Sequence, residues 1–187
     1  MIVGAKLKRY RESFDSVKSK SIYVAGMWSQ KDMLLTKMNE LKDMGYQVTS
    51  NWPHFENRLG NPDDYAECSR LDIEGVLSAD TILVFMTDPK YPYRGTCTEI
   101  GCAMGSGKRI IIICDGKSEA HVMPDHIKYT HSHYCMDNVF FWDKRIEHVT
   151  SYEDALKLLK GETVDSPFKH MYTGKISDAF NKIKQSH

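Results

Sequence analysis

The chain carries no surplus of either charge: 25 Lys and Arg stand against 25 Asp and Glu in 187 residues. A balanced protein has no net field with which to gather a nucleic-acid backbone or an anionic membrane surface, so neither partner is expected. Long apolar runs are missing too. No stretch approaches the roughly 20 residues that cross a bilayer, and Met1 to Lys20 is basic and polar without the apolar core of a secretory signal. The expectation is a cytosolic protein. The five cysteines, Cys68, Cys97, Cys102, Cys114 and Cys135, are odd in number, scattered and mostly set in apolar runs. That usage suits reduced thiols packed as small hydrophobes, and no disulfides are expected. Repeats and low-complexity segments are also absent, which leaves a chain of the right length for one ordinary domain.

Three parts are expected along the chain: a flexible leader over residues 1–20, a folded domain over 21–160 and a C-terminal tail over 161–187. The leader is charged and lacks an apolar stripe. Ile22 to Ala25, stopped by Gly26, has the form of a buried strand that ends in a tight turn. Lys31 to Met44 follows with Leu34, Met38 and Leu41 at helical spacing and Gly45 as a C-terminal stop. Tyr46 to Thr49 predicts a second strand, and Ser50 to Asp64 a long loop punctuated by Asn, Pro, Gly and Asp. Asp64 to Leu77 returns to helical period with Tyr65, Cys68, Leu71 and Val76 on one face. Thr81 to Met86 and Ile110 to Cys114 are near-continuous apolar runs, the pattern of parallel strands covered on both faces. A short helix, Thr98 to Ser106, is expected between them. Beyond Cys114 come a histidine-rich loop, a last strand at Val139 to Trp142, and a helix from Ser151 to Leu159 opened by a capping box of Ser151 and Asp154. In the tail, Ile176, Phe180 and Ile183 form the stripe of a docking helix.

Alternating strands and helices in this order predict an α/β fold, a flavodoxin/Rossmann-like parallel sheet with helices on both faces. Ligands of such sheets sit beyond the C-terminal strand ends. That rule selects the turn from Gly26 to Gln30, the segment from Thr87 to Glu99 and the loop from Asp115 onward, all expected to border one crevice.

The richest segment is RGTCTEIGCAMGSGK, residues 94–108, where a glycine turn, a helix start and one carboxylate, Glu99, fall within six residues. Placed in the first helical turn, Glu99 would be favoured by the helix dipole beside N–H groups that can bind sugar hydroxyls or phosphate. An ordinary first-turn glutamate is the plainer alternative. His121, His126, His131 and His133 lie in a loop with neither periodicity nor a close cysteine partner, so no metal is expected.

YVAG at residues 23–26, the acid in LDIEGVLSAD at 71–80, the buried strand, GTCTEIGCA at 95–103 and GKRIIII at 107–113 together resemble the nucleoside 2-deoxyribosyltransferase family. Order and spacing match over roughly residues 21–160. The resemblance implies a flavodoxin-like sheet and a homodimer or higher oligomer. It also implies an enzyme that exchanges bases on 2-deoxyribose or strips the base from deoxynucleoside 5′-monophosphates, with no cofactor. By position Glu99 matches the family's nucleophile, which attacks C1′ and leaves a glycosyl ester for another base or water to resolve. Asp72 matches the acid that contacts sugar or base and assists the leaving base; the alternative is a solvated helix carboxylate or a cap. Tyr23 and Gly26 fall where the family's first loop meets substrate, with Trp28 placed to stack on the base and Ser29 to donate to a hydroxyl or phosphate. A core tyrosine and a surface tryptophan are the alternatives.

The sequence departs from the family at one position. Six residues before the nucleophile the transferases commonly carry Asp and the monophosphate hydrolases Ser; here the residue is Tyr93, with Asp88 further back. Asp88, Tyr93 and Gly95 join the candidate substrate contacts, and Arg94 is a weaker candidate for a phosphate. Without the extra glycines and arginine of a phosphate cradle, the first loop favours nucleosides. In the family a neighbouring subunit contributes residues from the histidine-rich loop, which makes Asp125, Tyr129 or Asn138 candidates for a shared active site. Two rivals remain, a nucleotide-sensing domain without catalysis and a flavin-binding or signalling flavodoxin-like protein.

Overall fold

Five short apolar segments pair side by side into one parallel sheet in a computed structural model, which describes residues 20–54, 60–88, 91–114, 138–143 and 145–165. The strands are β1 (Ser21–Ala25), β2 (Gln47–Val48), β3 (Thr81–Phe85), β4 (Arg109–Ile113) and β5 (Ile146–Val149). Their order across the sheet is β2-β1-β3-β4-β5, every pair parallel. Four helices accompany them: α1 (Lys31–Asp43), α2 (Pro62–Ser78), α3 (Arg94–Gly105) and α4 (Tyr152–Leu159). Every residue of β1, β3 and β4 is buried, as their continuous apolar sequence requires of strands covered on both faces.

Strand order reverses between β1 and β3, so right-handed crossovers send α1 to one face and α2 and α3 to the other. The contacts agree: the Tyr152 hydroxyl at the start of α4 donates to Lys37 O of α1 at 3.5 Å, while α2 packs on α3. The C-terminal ends of β1 and β3 thus flank the switch point, where such sheets open a crevice. Past the short β2, side chains complete the β1 edge. Ser50 Oγ accepts the Val24 N–H at 2.8 Å and Trp52 Nε1 donates to Val24 O at 2.8 Å.

Local chemistry moved several boundaries away from expectation. α2 begins at Pro62 rather than Asp64 because Asn61 caps it, accepting from the Asp63 and Asp64 N–H groups while Asp64 bonds back to the Asn61 N–H. Tyr65 does not join the buried face of α2: it is 59% exposed, and Gly75 and Val76 in the C-terminal half are the buried positions. Val139–Trp142 is a 3-10 turn rather than the last strand, since Asn138 Oδ1 takes the Phe140 N–H and closes the turn. The last strand is instead Ile146–Val149, paired along β4. α3 begins at Arg94, four residues before the expected Thr98, which moves Glu99 out of the first turn. Ser151 caps α4 as its spacing predicts, accepting the Asp154 N–H. Cys68, Cys97, Cys102 and Cys114 are free thiols, and no helix of the described residues is long and apolar enough to cross a membrane. Leader residues 1–19, the four histidines His121, His126, His131 and His133, Cys135 and the stripe at Ile176, Phe180 and Ile183 lie outside the described residues.

One glycine ties fold to site. A β-carbon on Gly75 would lie 2.8 Å from the Tyr23 ring and 3.1 Å from the Thr49 carbonyl, so α2 packs on β1 at this depth only with glycine there. Gly75→Ala is expected to push the Tyr23 ring aside and to lower stability by about 1–3 kcal/mol, the usual cost of overpacking. Denaturant melts with near-ultraviolet circular dichroism check both effects.

Candidate active site

Three elements bring three polar side chains to one point under the sheet's switch region. Tyr23 comes from β1, Asp72 from α2 and Glu99 from the second turn of α3. The Tyr23 hydroxyl lies 2.6 Å from Glu99 Oε1 and 3.2 Å from Asp72 Oδ1. Tyr23 is fully buried, while Asp72 and Glu99 are half-buried. Cys68, one helical turn before Asp72, places Sγ 4.0 Å from Asp72 Oδ2, so both oxygens of that carboxyl have a neighbour.

A phenol has one hydrogen to donate. Given to Glu99 along the shorter contact, it leaves the Tyr23 oxygen as an acceptor facing Asp72, and that contact is favourable only when Asp72 keeps its own proton. The trio is therefore satisfied when the carboxyl pair shares one proton and Tyr23 stays neutral. Burial raises both carboxyls, most strongly Glu99, so the pair keeps a proton into the neutral range. Burial pushes the Glu99 carboxyl up to about 7, with Asp72 raising it further and the Tyr23 hydrogen bond opposing. Burial likewise raises Asp72 against the pull of Tyr23. Tyr23 itself is driven well above the usual phenol range by burial and by the two carboxyls, so it stays a donor. Burial and the same two carboxyls hold the Cys68 thiol protonated.

The helix dipole, invoked from sequence for Glu99, does not act as expected. No acidic residue stands in the first turn of α3, and the field of a helix end fades within that turn. Burial and the Tyr23 hydroxyl govern Glu99 instead.

The remaining candidates lie on the loops above the trio. Gly26 leaves β1 where a β-carbon would meet Leu34 Cδ1 at 2.7 Å, and its carbonyl accepts from Thr96 Oγ1 at 3.3 Å. This bond joins the first loop to the first turn of α3. Trp28 and Ser29 stand exposed on the 3-10 turn that follows; the Trp28 ring sits 5.8 Å from Trp52 with Lys31 Nζ 5.3 Å over it. Gly95 is exposed, and a β-carbon there would meet nothing within 4 Å. Asp88 is half-buried at the end of β3. Tyr93 is 1% exposed, and its hydroxyl accepts the Thr87 and Asp88 N–H groups, each at 2.9 Å. Asn138 spends its side chain capping the 3-10 turn, whereas Asp125 and Tyr129 lie outside the described residues.

Sequence reasoning passed over Cys68 and Gly75 as parts of the site. Both were visible as inner-face neighbours of Asp72 at helical spacing, but the signal emerges only once Tyr23 is known to pass beneath α2. No group of three metal-ligating side chains occurs among the described residues. A separate cavity of about 760 Å³ on another face of α3, lined by Cys97, Ile100, Met104, Phe140, Phe141 and Arg145 among others, does not include the trio.

Three solved structures are similar to this chain. BlsM, known from a solution structure, aligns over 77% of this chain and 88% of its own with 17% identity and a TM-score of 0.50. The CMP N-glycosidase BcmB of Clostridium botulinum covers 75% of this chain and 99% of its own at 18% identity, TM-score 0.47. The 2-deoxyribosyltransferase of Bacillus psychrosaccharolyticus covers 50% and 71% at 22% identity, TM-score 0.44. At 17% identity the likeness to BlsM speaks for the fold alone, and no curated protein matches the sequence. The family model for nucleoside 2-deoxyribosyltransferase, however, matches residues 22–167. On that match the chain belongs to the nucleoside 2-deoxyribosyltransferase family, as an enzyme of the deoxyribosyltransferase type.

Proposed function

We propose that the protein cleaves the N-glycosidic bond of a 2′-deoxynucleoside and passes the sugar to a second base through a glycosyl ester on Glu99. One observation carries this reading: a buried phenol within hydrogen-bond distance of two carboxyls, with a single hydrogen to give to one of them. A nucleophile and an acid for a single displacement are thereby supplied side by side.

In the first step a Glu99 oxygen attacks C1′ as the C1′–N bond breaks. The bonding pair leaves on the base nitrogen, and Asp72 delivers its proton to the departing base. A second base then attacks C1′, the Glu99 ester bond breaks, and Asp72 recovers a proton from the incoming nitrogen. Two inversions give net retention. Tyr23 keeps its hydrogen throughout and holds Glu99 in position. Gly26, Trp28, Ser29, Asp88 and Gly95 form the substrate contacts in this reading, Trp28 stacking on the base and Gly95 leaving room for the sugar. The chemistry needs neither metal nor cofactor.

Water in place of the second base would make the enzyme a hydrolase, and a preference for 5′-monophosphates would turn the reading toward nucleotide hydrolysis. Thymidine, deoxycytidine, deoxyadenosine and their monophosphates, each incubated with and without free adenine, separate these outcomes. A new nucleoside is expected from the unphosphorylated substrates. Free base alone means hydrolysis, and no product from any of them means a non-catalytic sensing domain. In an oligomer, the loop that leads into Asn138 is the proposed source of a shared active site.

Glu99→Gln is expected to lower kcat by at least about a thousandfold through loss of the attacking atom. Its stability should change in the opposite sense. A carboxyl whose folded pKa is raised stabilises the fold while protonated, and that contribution is lost as pH climbs from the ordinary glutamate value through about 7. The variant should match wild type near pH 5 and exceed it by on the order of 1–3 kcal/mol at pH 8. Thermal melts across that range check this, and an offset independent of pH would contradict it.

The shared proton predicts a rate profile as well. Turnover requires one proton on the carboxyl pair, so wild-type kcat/KM should pass through a maximum and fall as the last proton leaves near pH 7. Asp72→Asn removes the acid at a cost of roughly 10²–10⁴ in rate, and its residual activity should rise with pH as Glu99 ionises. Profiles of the same shape in both proteins would rule out Asp72 as the acid.

A further inference from the structure

We propose that Tyr93 is a positioning residue: its side chain clamps the segment after β3 and the first turn of α3 into the arrangement that delivers Glu99 to Tyr23. The proposal rests on the N-glycosyl-cleaving function above and adds a residue that acts without touching the sugar.

Tyr93 has φ 45° and ψ 37°, the one positive φ outside glycine among the described residues. A bulky residue is rare in the left-handed region, and such strain persists where the surroundings over-determine it. Here they do. The hydroxyl accepts two consecutive backbone N–H groups, from Thr87 and Asp88, both at 2.9 Å. The ring meets Tyr91 edge-on, with centroids 4.9 Å apart and planes at 83°. The backbone carbonyl accepts the first N–H bonded within α3, from Cys97 at 2.7 Å. One side chain therefore ties Thr87 and Asp88 to Tyr93, while its own backbone starts the helix that bears Glu99.

Thr87 and the first turn of α3 are both tied to the segment after β1. Thr87 Oγ1 lies 3.1 Å from Gln30 Oε1, and Thr96 Oγ1 donates to Gly26 O. With the helix start fixed at both points, the second turn has no slack, and Glu99 reaches Tyr23 at 2.6 Å. The two acceptor positions of the Tyr93 hydroxyl are already used on backbone N–H groups, so recognition of a ligand donor is not its role.

Tyr93→Phe removes the hydroxyl and keeps the ring. Three readouts are taken: steady-state kinetics, the thermal midpoint, and titration of the Glu99 carboxyl by carbon NMR on substrate-free protein. The expected result is a fall in kcat of about tenfold or more with KM within about threefold, as misplacement of a reacting group requires. The Glu99 midpoint should move down from about 7 toward the ordinary glutamate range as the carboxyl gains solvent. A Glu99 titration and a kcat both equal to wild type, whatever the thermal midpoint, would overturn the proposal. If Tyr93→Phe does not fold, Tyr91→Ala tests the same clamp through its outer support. A downward shift of the Glu99 midpoint is again expected, and none would overturn the proposal. The carboxyl titration needs no substrate, so a wild-type protein inert toward every nucleoside would sink the functional reading while leaving this one to be decided.

Discussion

The site depends on a single hydroxyl buried between two carboxyls. Tyr23 is fixed by β1, a strand buried along its whole length, and cannot move without disturbing the core. Asp72 and Glu99 come from two separate helices on one face, and the phenol is where they meet. Because it has only one hydrogen to give, it cannot donate to both carboxylates at once, and the two acids do not titrate alike. That inequality is what a two-step displacement at an anomeric carbon requires.

The rest of the fold serves this contact. Gly75 lets α2 pass over the Tyr23 ring, and Cys68 stands at the second oxygen of Asp72. Ser50 and Trp52 satisfy the backbone at the end of β1, so the strand keeps its shape beyond its short neighbour β2. The arrangement is costly. Half-buried carboxyls with raised pKa values destabilise the folded state at neutral pH, and no cation is among the causes that shift either of them. Such strain is retained where it is used, which marks the trio as a candidate site.

Most of the scaffold was legible in the sequence because burial on both faces writes itself as continuous apolar runs. TILVF and RIIII identified β3 and β4, Leu34, Met38 and Leu41 marked the buried face of α1, and Gly45 ended it with φ 89°. What failed was decided by side chains acting on nearby backbone. Asn138 converted an expected strand into a 3-10 turn, and Asn61 with Asp64 drew α2 two residues earlier. Left-handed Tyr93 started α3 early and took Glu99 out of the helix dipole's reach. At the site, Glu99, Asp72 and Tyr23 were individually suggested by motif and position. Their convergence on one hydroxyl was not, because no periodicity reports which residues of different elements touch. Tyr93 gave the least accessible signal, since a left-handed tyrosine has no signature in composition or spacing.

The central claim is that Glu99 carries the sugar between the two steps. Mixing the protein with a 2′-fluorinated deoxynucleoside, in which fluorine slows breakdown of the ester by destabilising positive charge at C1′, should let the intermediate accumulate. Peptide mapping by mass spectrometry is then expected to find the fluorosugar mass on the peptide containing Glu99, with one equivalent of base released. Base release in the absence of any adduct, or an adduct on a different residue, would contradict the account.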